Sequence, residues 1–143
     1  MANEEHAALL ARGVQRWNRW REEHPELIPD LSGVDLKWRD LQGINFQAAD
    51  LRGTLLNGAD LEGANLTQCD ARGADFSKAN LYRARLDRAN LQQADLYKAD
   101  LSLAGLYCTD LRGADLSNTV FLDEDLEFAL IEEPSLTISV SGG

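Results

Sequence analysis

The chain reads as an all-β stack of coils with a helical cap at its N-terminal end. Three observations predict this. A large apolar residue recurs at every fifth position from Leu31 to Leu126 without insertion or deletion, and Ala71 is the only small residue at those sites. The position two before most sites is small, most often Ala, and the position one before is most often Asp or Asn. Residues 4–23 break with this pattern and carry apolar side chains at helical spacing. A period of five suits neither a helix, which repeats every 3.6 residues, nor a strand, which repeats every two. Wound as a helix, successive leucines would step about 500° and scatter over every face. The backbone must instead turn a fixed corner every five residues, so that the same pentad position always faces inward. A fixed period sustained this long marks stacked coils, each burying its face against its neighbours.

The inward set is therefore Leu31, Leu36, Leu41, Phe46, Leu51, Leu56, Leu61, Leu66, Phe76, Leu81, Leu86, Leu91, Leu96, Leu101, Leu106, Leu111, Leu116, Phe121 and Leu126. Each such burial contributes ~1.5–3 kcal/mol. The residue two before each centre shares the interior and must be small. Cys69 beside Ala71 fits this, since the partner grows where the centre shrinks. A charge at Leu81 should collapse the stack, whereas removing the outward carboxylate of Asp95 should barely matter. Gly ends the pentads at Gly33, Gly43, Gly53, Gly58, Gly63, Gly73 and Gly113, as a turn with positive φ requires. From Lys78 to Lys98 that position holds Lys, Arg or Gln, so the turn type is expected to change along the rod.

Ala59-Asp60-Leu61-Glu62-Gly63, Ala64-Asn65-Leu66-Thr67-Gln68 and Ala94-Asp95-Leu96-Tyr97-Lys98 resemble the A-(D/N)-L-x-x motif of the pentapeptide-repeat proteins. The resemblance covers about residues 29–128. It implies a right-handed quadrilateral β-helix with four pentads to a coil, hence about five coils. Coils stacked at the interstrand spacing of about 4.8 Å give a rod on the order of 24 Å long. The family is abundant in photosynthetic bacteria and scattered in function, so the resemblance specifies fold more than role. Its gyrase-protecting members imply one sharp alternative, in which acidic columns imitate the phosphates of duplex DNA.

The rest of the chain supports this division. Residues 1–28 form the cap and its connector. One amphipathic helix is expected over 4–23, with Ala7, Leu10, Val14 and Trp17 inward, Leu9 and Trp20 flanking, Asn3 as N-cap, and His24-Pro25 ending it. It would cover the open first coil. Outward Trp17 and Trp20, forming a partner surface, are the alternative. Residues 129–143 read as a degenerate sixth coil, centred on Ile131 and Leu136, and a flexible tail. Leu136-Thr137-Ile138-Ser139-Val140 alternates like a strand that closes the end or pairs with a second molecule. A net charge of −10 makes direct nucleic-acid binding a poor fit. No apolar run reaches membrane-spanning length, and the acidic start lacks a signal-peptide core, so a cytoplasmic protein is expected. Cys69 inward and Cys108 outward should not pair.

Nothing in the repeat is chemistry. His6 and His24 are expected to be solvent-exposed, with no ligand set near them, and every Asp and Gly follows the period. No catalytic residue, metal or cofactor is predicted. What remains is surface. The position before each centre gives acidic columns: Asp30, Asp50, Asp70, Asn90 and Asp110 on one face; Asp35, Leu55, Asp75, Asp95 and Asp115 on a second; Asp40, Asp60, Asn80, Asp100 and Val120 on a third. Arg52, Arg72 and Arg112 run beside the first and should neutralise it. Tyr82, Tyr97 and Tyr107 point outward, on three different faces, and with Arg83 and Arg85 they are the candidate partner surface. Arg83, Arg85 and Arg88 cluster amid acid, open to an acidic partner, with Asp87 and the neighbouring Asp columns placed to satisfy them. Val120, Phe121 and Leu122 suit a cap or a C-terminal homodimer contact. The expectation is a non-enzymatic interaction module, a regulatory or scaffolding binder of an unidentified protein, with a self-associating structural rod as a further alternative.

Overall fold

The computed structural model describes residues 2–132. Parallel bridges pair residues before centres with the residue twenty positions on, from Asp30↔Asp50 to Asp110↔Leu130, with Gly105 the exception. Twenty residues and four corners therefore make one coil. The centres sort into a first face (Leu31, Leu51, Ala71, Leu91, Leu111), a second from Leu36, a third from Leu41 and a fourth from Phe46. All of these centres from Leu31 to Phe121 are buried.

Backbone pairing explains the pentad. The centre's N–H donates to the next coil, as Leu31 does to Asp50 O at 2.9 Å. The N–H two residues on does the same, Gly33 to Arg52 O at 2.9 Å. The N–H before the centre donates to the previous coil, Asp50 to Pro29 O at 2.8 Å. The N–H three after closes the corner, Val34 to Leu31 O at 3.0 Å. That leaves the N–H one after the centre, and the Asp or Asn before the centre takes it: Ser32 donates to Asp30 Oδ1 at 3.0 Å, and Thr67 to Asn65 Oδ1 at 3.0 Å. The recurring Asp is thus a backbone cap, and Asn serves equally.

The turn does not change along the rod. Lys78, Arg83, Arg88, Gln93 and Lys98 have φ of 59–60°, beside 64° at Gly53 and 66° at Gly63. With the closing bond this is the type II pattern throughout. A single left-handed residue costs an L-amino acid ~1–2 kcal/mol, and hydrogen bonds to the next coil hold it there. The inward position before the centre also admits Thr, because Thr54, Thr109 and Thr119 donate their hydroxyls to Leu31, Leu86 and Leu96 carbonyls at 2.9, 2.8 and 2.6 Å.

The cap is two helices rather than one: α1, Glu4–Leu10, and α2, Val14–Glu23. Gly13 separates them with φ of 107°. Asn3 caps α1 by accepting from Glu5 and His6 N–H. Trp17 is fully buried, edge-on to Phe46 at 5.8 Å, and its Nε1 donates to Asn45 O at 2.7 Å. Asn18 pairs with Gly43 O and Asn45 N–H, and Arg21 donates to Leu27 O and Gln47 O. These side chains replace a missing coil along the fourth face. His6 is half-buried rather than solvent-exposed, and its Nδ1 accepts from Asp30 N–H at 3.0 Å. His24 is also half-buried, against Trp20.

The far end also departs from the rule. Leu126, expected as an inward centre, lies in a 3-10 turn, Asp123–Leu126, and is only partly buried. The ladder slips by one residue there, with Cys108 N–H donating to Phe128 O at 2.9 Å, and regains phase at Leu130. Ala129 and Ile131 pack partly against the core. Leu136 and the strand expected at 136–140 lie outside the described residues.

Candidate interaction surface

Three faces carry acid in the capping column. On the first, the acid is neutralised in place. Arg52, Arg72 and Arg112 each fork onto the Asp two before them, with closest contacts of 2.7 Å to Asp50, Asp70 and Asp110. Arginine hydrogen bonds hold these three carboxyls below the usual carboxylate range and push the guanidinium groups up. On the second face Ser117 holds Asp115 down in the same way.

The fourth face differs. Its bridged capping column reads Asn45, Asn65, Arg85 and Gly105, with no acid before Asp125, which lies in the terminal 3-10 turn. Arg83 and Arg88 stand at the two corners bounding this face in the coil of Leu86, and Arg85 lies between them; all three are exposed. None has a carboxylate within 4.0 Å among the described residues. Asp87, expected to satisfy them, is engaged elsewhere. It reaches one coil on and accepts from Tyr107 N–H at 3.1 Å, occupying the space a side chain at Gly105 would need. A Cβ on Gly105 would meet Asp87 Oδ1 at 2.9 Å.

Aromatic side chains support two of the three arginines. Arg83 lies over Tyr82 at 5.2 Å, and Arg88 over Tyr107 at 5.2 Å. Tyr107 is itself beside Phe128 at 5.7 Å. Tyr107 and Phe128 are 50% and 61% exposed, and Leu103, at the corner of the same coil as Tyr107, is 54% exposed. Of the residues proposed from sequence, Arg83, Arg85 and Tyr107 thus lie on or beside one face, with Tyr82 round its corner. Tyr97 is on the opposite face, under Lys98 at 5.3 Å. Val120 and Leu122 lie at the far end, and Phe121 is buried. Sequence reasoning also missed Trp38, 68% exposed, whose ring lies across Gly58. It fills a turn position and so hides inside the period.

Among the described residues no group of His, Cys, Asp or Glu is arranged to hold a metal ion, and no helix is long and apolar enough to cross a membrane. Cys69 is buried, which pushes its thiol up to about 12, and Cys108 is exposed.

A family profile for pentapeptide repeats matches overlapping stretches at 30–68, 44–82, 55–93 and 84–121, more than half of the chain. The chain belongs to the pentapeptide-repeat family. Among solved members, a pentapeptide-repeat protein of the Arabidopsis thaliana thylakoid lumen is 34% identical, with a TM-score of 0.64. The match covers 66% of each chain, so this chain spans just under two-thirds of that relative. HetL of Nostoc sp. strain PCC 7120, involved in heterocyst differentiation regulation, is 27% identical over 77% of this chain and 60% of its own, with a TM-score of 0.36. QnrB1, a plasmid-mediated fluoroquinolone resistance protein, is 24% identical over 71% of this chain and 65% of its own, with a TM-score of 0.40. A search of curated proteins found no match. The family alone does not choose among roles.

Proposed function

We propose that this pentapeptide-repeat protein is a non-catalytic binding module, a regulatory or scaffolding protein that offers a rigid four-sided surface to a protein partner. One observation carries the reading. The repeated residues are consumed by the fold, centres by the core and Asp or Asn by the backbone caps, so the residues free to carry a role are the outward departures from the repeat. Those departures are Arg, Tyr and exposed apolar side chains, the types enriched where proteins meet. Imitation of duplex DNA draws less support, because the acid that would serve as phosphate is a backbone cap and on one face is paired with arginine. Two unpaired cysteines, one exposed, suit a reducing compartment such as the cytoplasm.

The test is affinity capture from the source cell's lysate, followed by binary binding with each purified candidate. One protein binding directly, in simple stoichiometry and saturably, supports the module reading. Capture of nothing that binds directly refutes it. Inhibition of gyrase supercoiling by the purified protein at low concentration would move the assignment to mimicry.

A further inference from the structure

We infer that the fourth face, around Arg83, Arg85, Arg88 and Tyr107, is a docking surface for an acidic, partly apolar protein segment. This rests on the module reading and adds a place and a partner chemistry to it. Arg85 is the key residue, since nothing in the fold asks for it. Its position is a capping station, where Asp or Asn would accept the Asp87 N–H, and that N–H has no partner among the described residues. The neighbouring station, Gly105, also lacks a cap, and Asp87 must supply one from the coil before. Capping side chains are therefore absent at two consecutive stations of one face, and one of the two N–H groups, that of Asp87, is left uncapped. What replaces them is a guanidinium on open surface, between two more guanidinium groups backed by tyrosine rings.

Charge complementarity sets the partner. The chain carries −10 overall, yet residues 44–48, 64–68, 84–88 and 104–108 of this face hold two arginines and a single acid, the face's other acids (Glu124, Asp125 and Glu127) being confined to its last pentad. That acid, Asp87, is tied to Tyr107 N–H. Toward the cap the patch is bordered by the neutral Asn65, Thr67 and Gln68. At the far end lie Asp123, Glu124, Asp125 and Glu127, whose charges limit the footprint and reject a long polyanion such as a nucleic acid. Arginine forks match carboxylates bidentately. The adjoining Leu103, Tyr107 and Phe128 give the partner's apolar residues a place to bury. The fitting occupant is a short segment in which Asp and Glu alternate with Leu or Phe.

The probe is a fluorescein-labelled peptide of that pattern, titrated by anisotropy at low salt against the full chain. Binding should weaken by about tenfold or more with Arg85→Glu plus Arg88→Glu, the loss of two exposed charge pairs. It should stay within about twofold with Lys78→Glu plus Lys98→Glu on the second face. Arg85→Asn gives the distinguishing readout. It restores the missing cap, so melting temperature should rise while peptide affinity falls. Equal losses from the arginine and lysine pairs would overturn the inference, as would tighter binding of a single-stranded oligonucleotide of equal charge. If a lysate partner binds the Arg85→Glu, Arg88→Glu protein as tightly as the parent, this face is wrong while the module reading stands. If the parent captures no direct partner, the module reading itself fails.

Discussion

Replacing Asp95 with Ala tests the capping account directly. The sequence makes this carboxylate look like surface ornament, and its loss looks harmless. In the structure Asp95 Oδ1 accepts the Tyr97 N–H at 2.9 Å, in a partly buried setting. That N–H has no other partner among the described residues, since the neighbouring coils are paired through other groups. Loss of the analogous acceptor at a helix N-cap costs ~0.5–2 kcal/mol, and water reaches this site in part, so about 1 kcal/mol is expected. For a domain of this size that is a fall of about 2–6 °C in Tm. Asp95→Asn keeps the acceptor, as Asn80 and Asn90 do for Tyr82 and Gln92 N–H. It also relieves the repulsion of Asp95 with Asp75 and Asp115, its bridge partners' column, so it should melt at or above the parent. Urea unfolding of both variants, with m-values compared, separates stability from any change in compactness. An Ala variant as stable as the parent would refute the capping argument. An Asn variant as damaged as Ala would show that charge, not acceptance, is what the position supplies.

Other consequences are equally open to measurement. A Cβ on Gly58 would overlap the Trp38 ring at 2.1 Å, whereas one on Gly63 meets nothing within 4 Å. Gly63→Ala should therefore cost only the left-handed penalty of ~1–2 kcal/mol, and Gly58→Ala should cost more and shift tryptophan fluorescence; equal effects would show that the indole moves freely. Burial lowers the pKa of His6, outweighing the raising effects of Asp30 and Glu5, while Arg21 lowers it further. Its neutral Nδ1 holds Asp30 N–H, so cap stability should be complete above the ordinary histidine value and be lost as pH falls through the lowered one. Trp17 and Trp20 fluorescence should report this before the coil circular dichroism changes, and His6→Ala should remove the early phase. In the native protein Cys108 should react with a thiol reagent and Cys69 only on unfolding. Leu81→Asp places a charge in a fully buried site and should prevent folding, as read by circular dichroism.

The coil count and the inward faces were legible because a strict period of five admits one kind of solution. The turns were misread for a physical reason. Positive φ suggests glycine, but at Lys78 and Arg83 the N–H bonds to Tyr97 O and Ser102 O at 2.7 and 3.0 Å, and such bonds hold the strained conformation without glycine. The cap was misread at Gly13. Apolar spacing runs through it from Ala7 to Trp17, and the pattern alone cannot show that α2 must swing to bring Trp17 onto Phe46. The buried state of His6 also depends on that swing. Leu126 kept the right residue type at the right phase, yet the acidic run Asp123-Glu124-Asp125 favoured a 3-10 turn, in which Asp125 accepts the Leu122 N–H at 3.1 Å.

The departures from the repeat therefore say more about role than the repeat does. Where Asp or Asn occupies the capping station, backbone pairing is sufficient cause, and its charge needs no partner to explain it. Where the station holds something else, the fold has lost about 1 kcal/mol of capping and a cause must be sought. Asp125 supplies one at Val120, by capping Leu122 in the terminal turn. At Gly105 the cause is Asp87, reaching over from the coil before. Leu55 is half-buried beside Asn57, whose Oδ1 is buried without a partner, and no cause is visible there. Arg85 alone is exposed, charged and uncompensated. A residue the fold would be more stable without, set on the one face whose bridged capping column holds no acid, is where a partner is to be sought first.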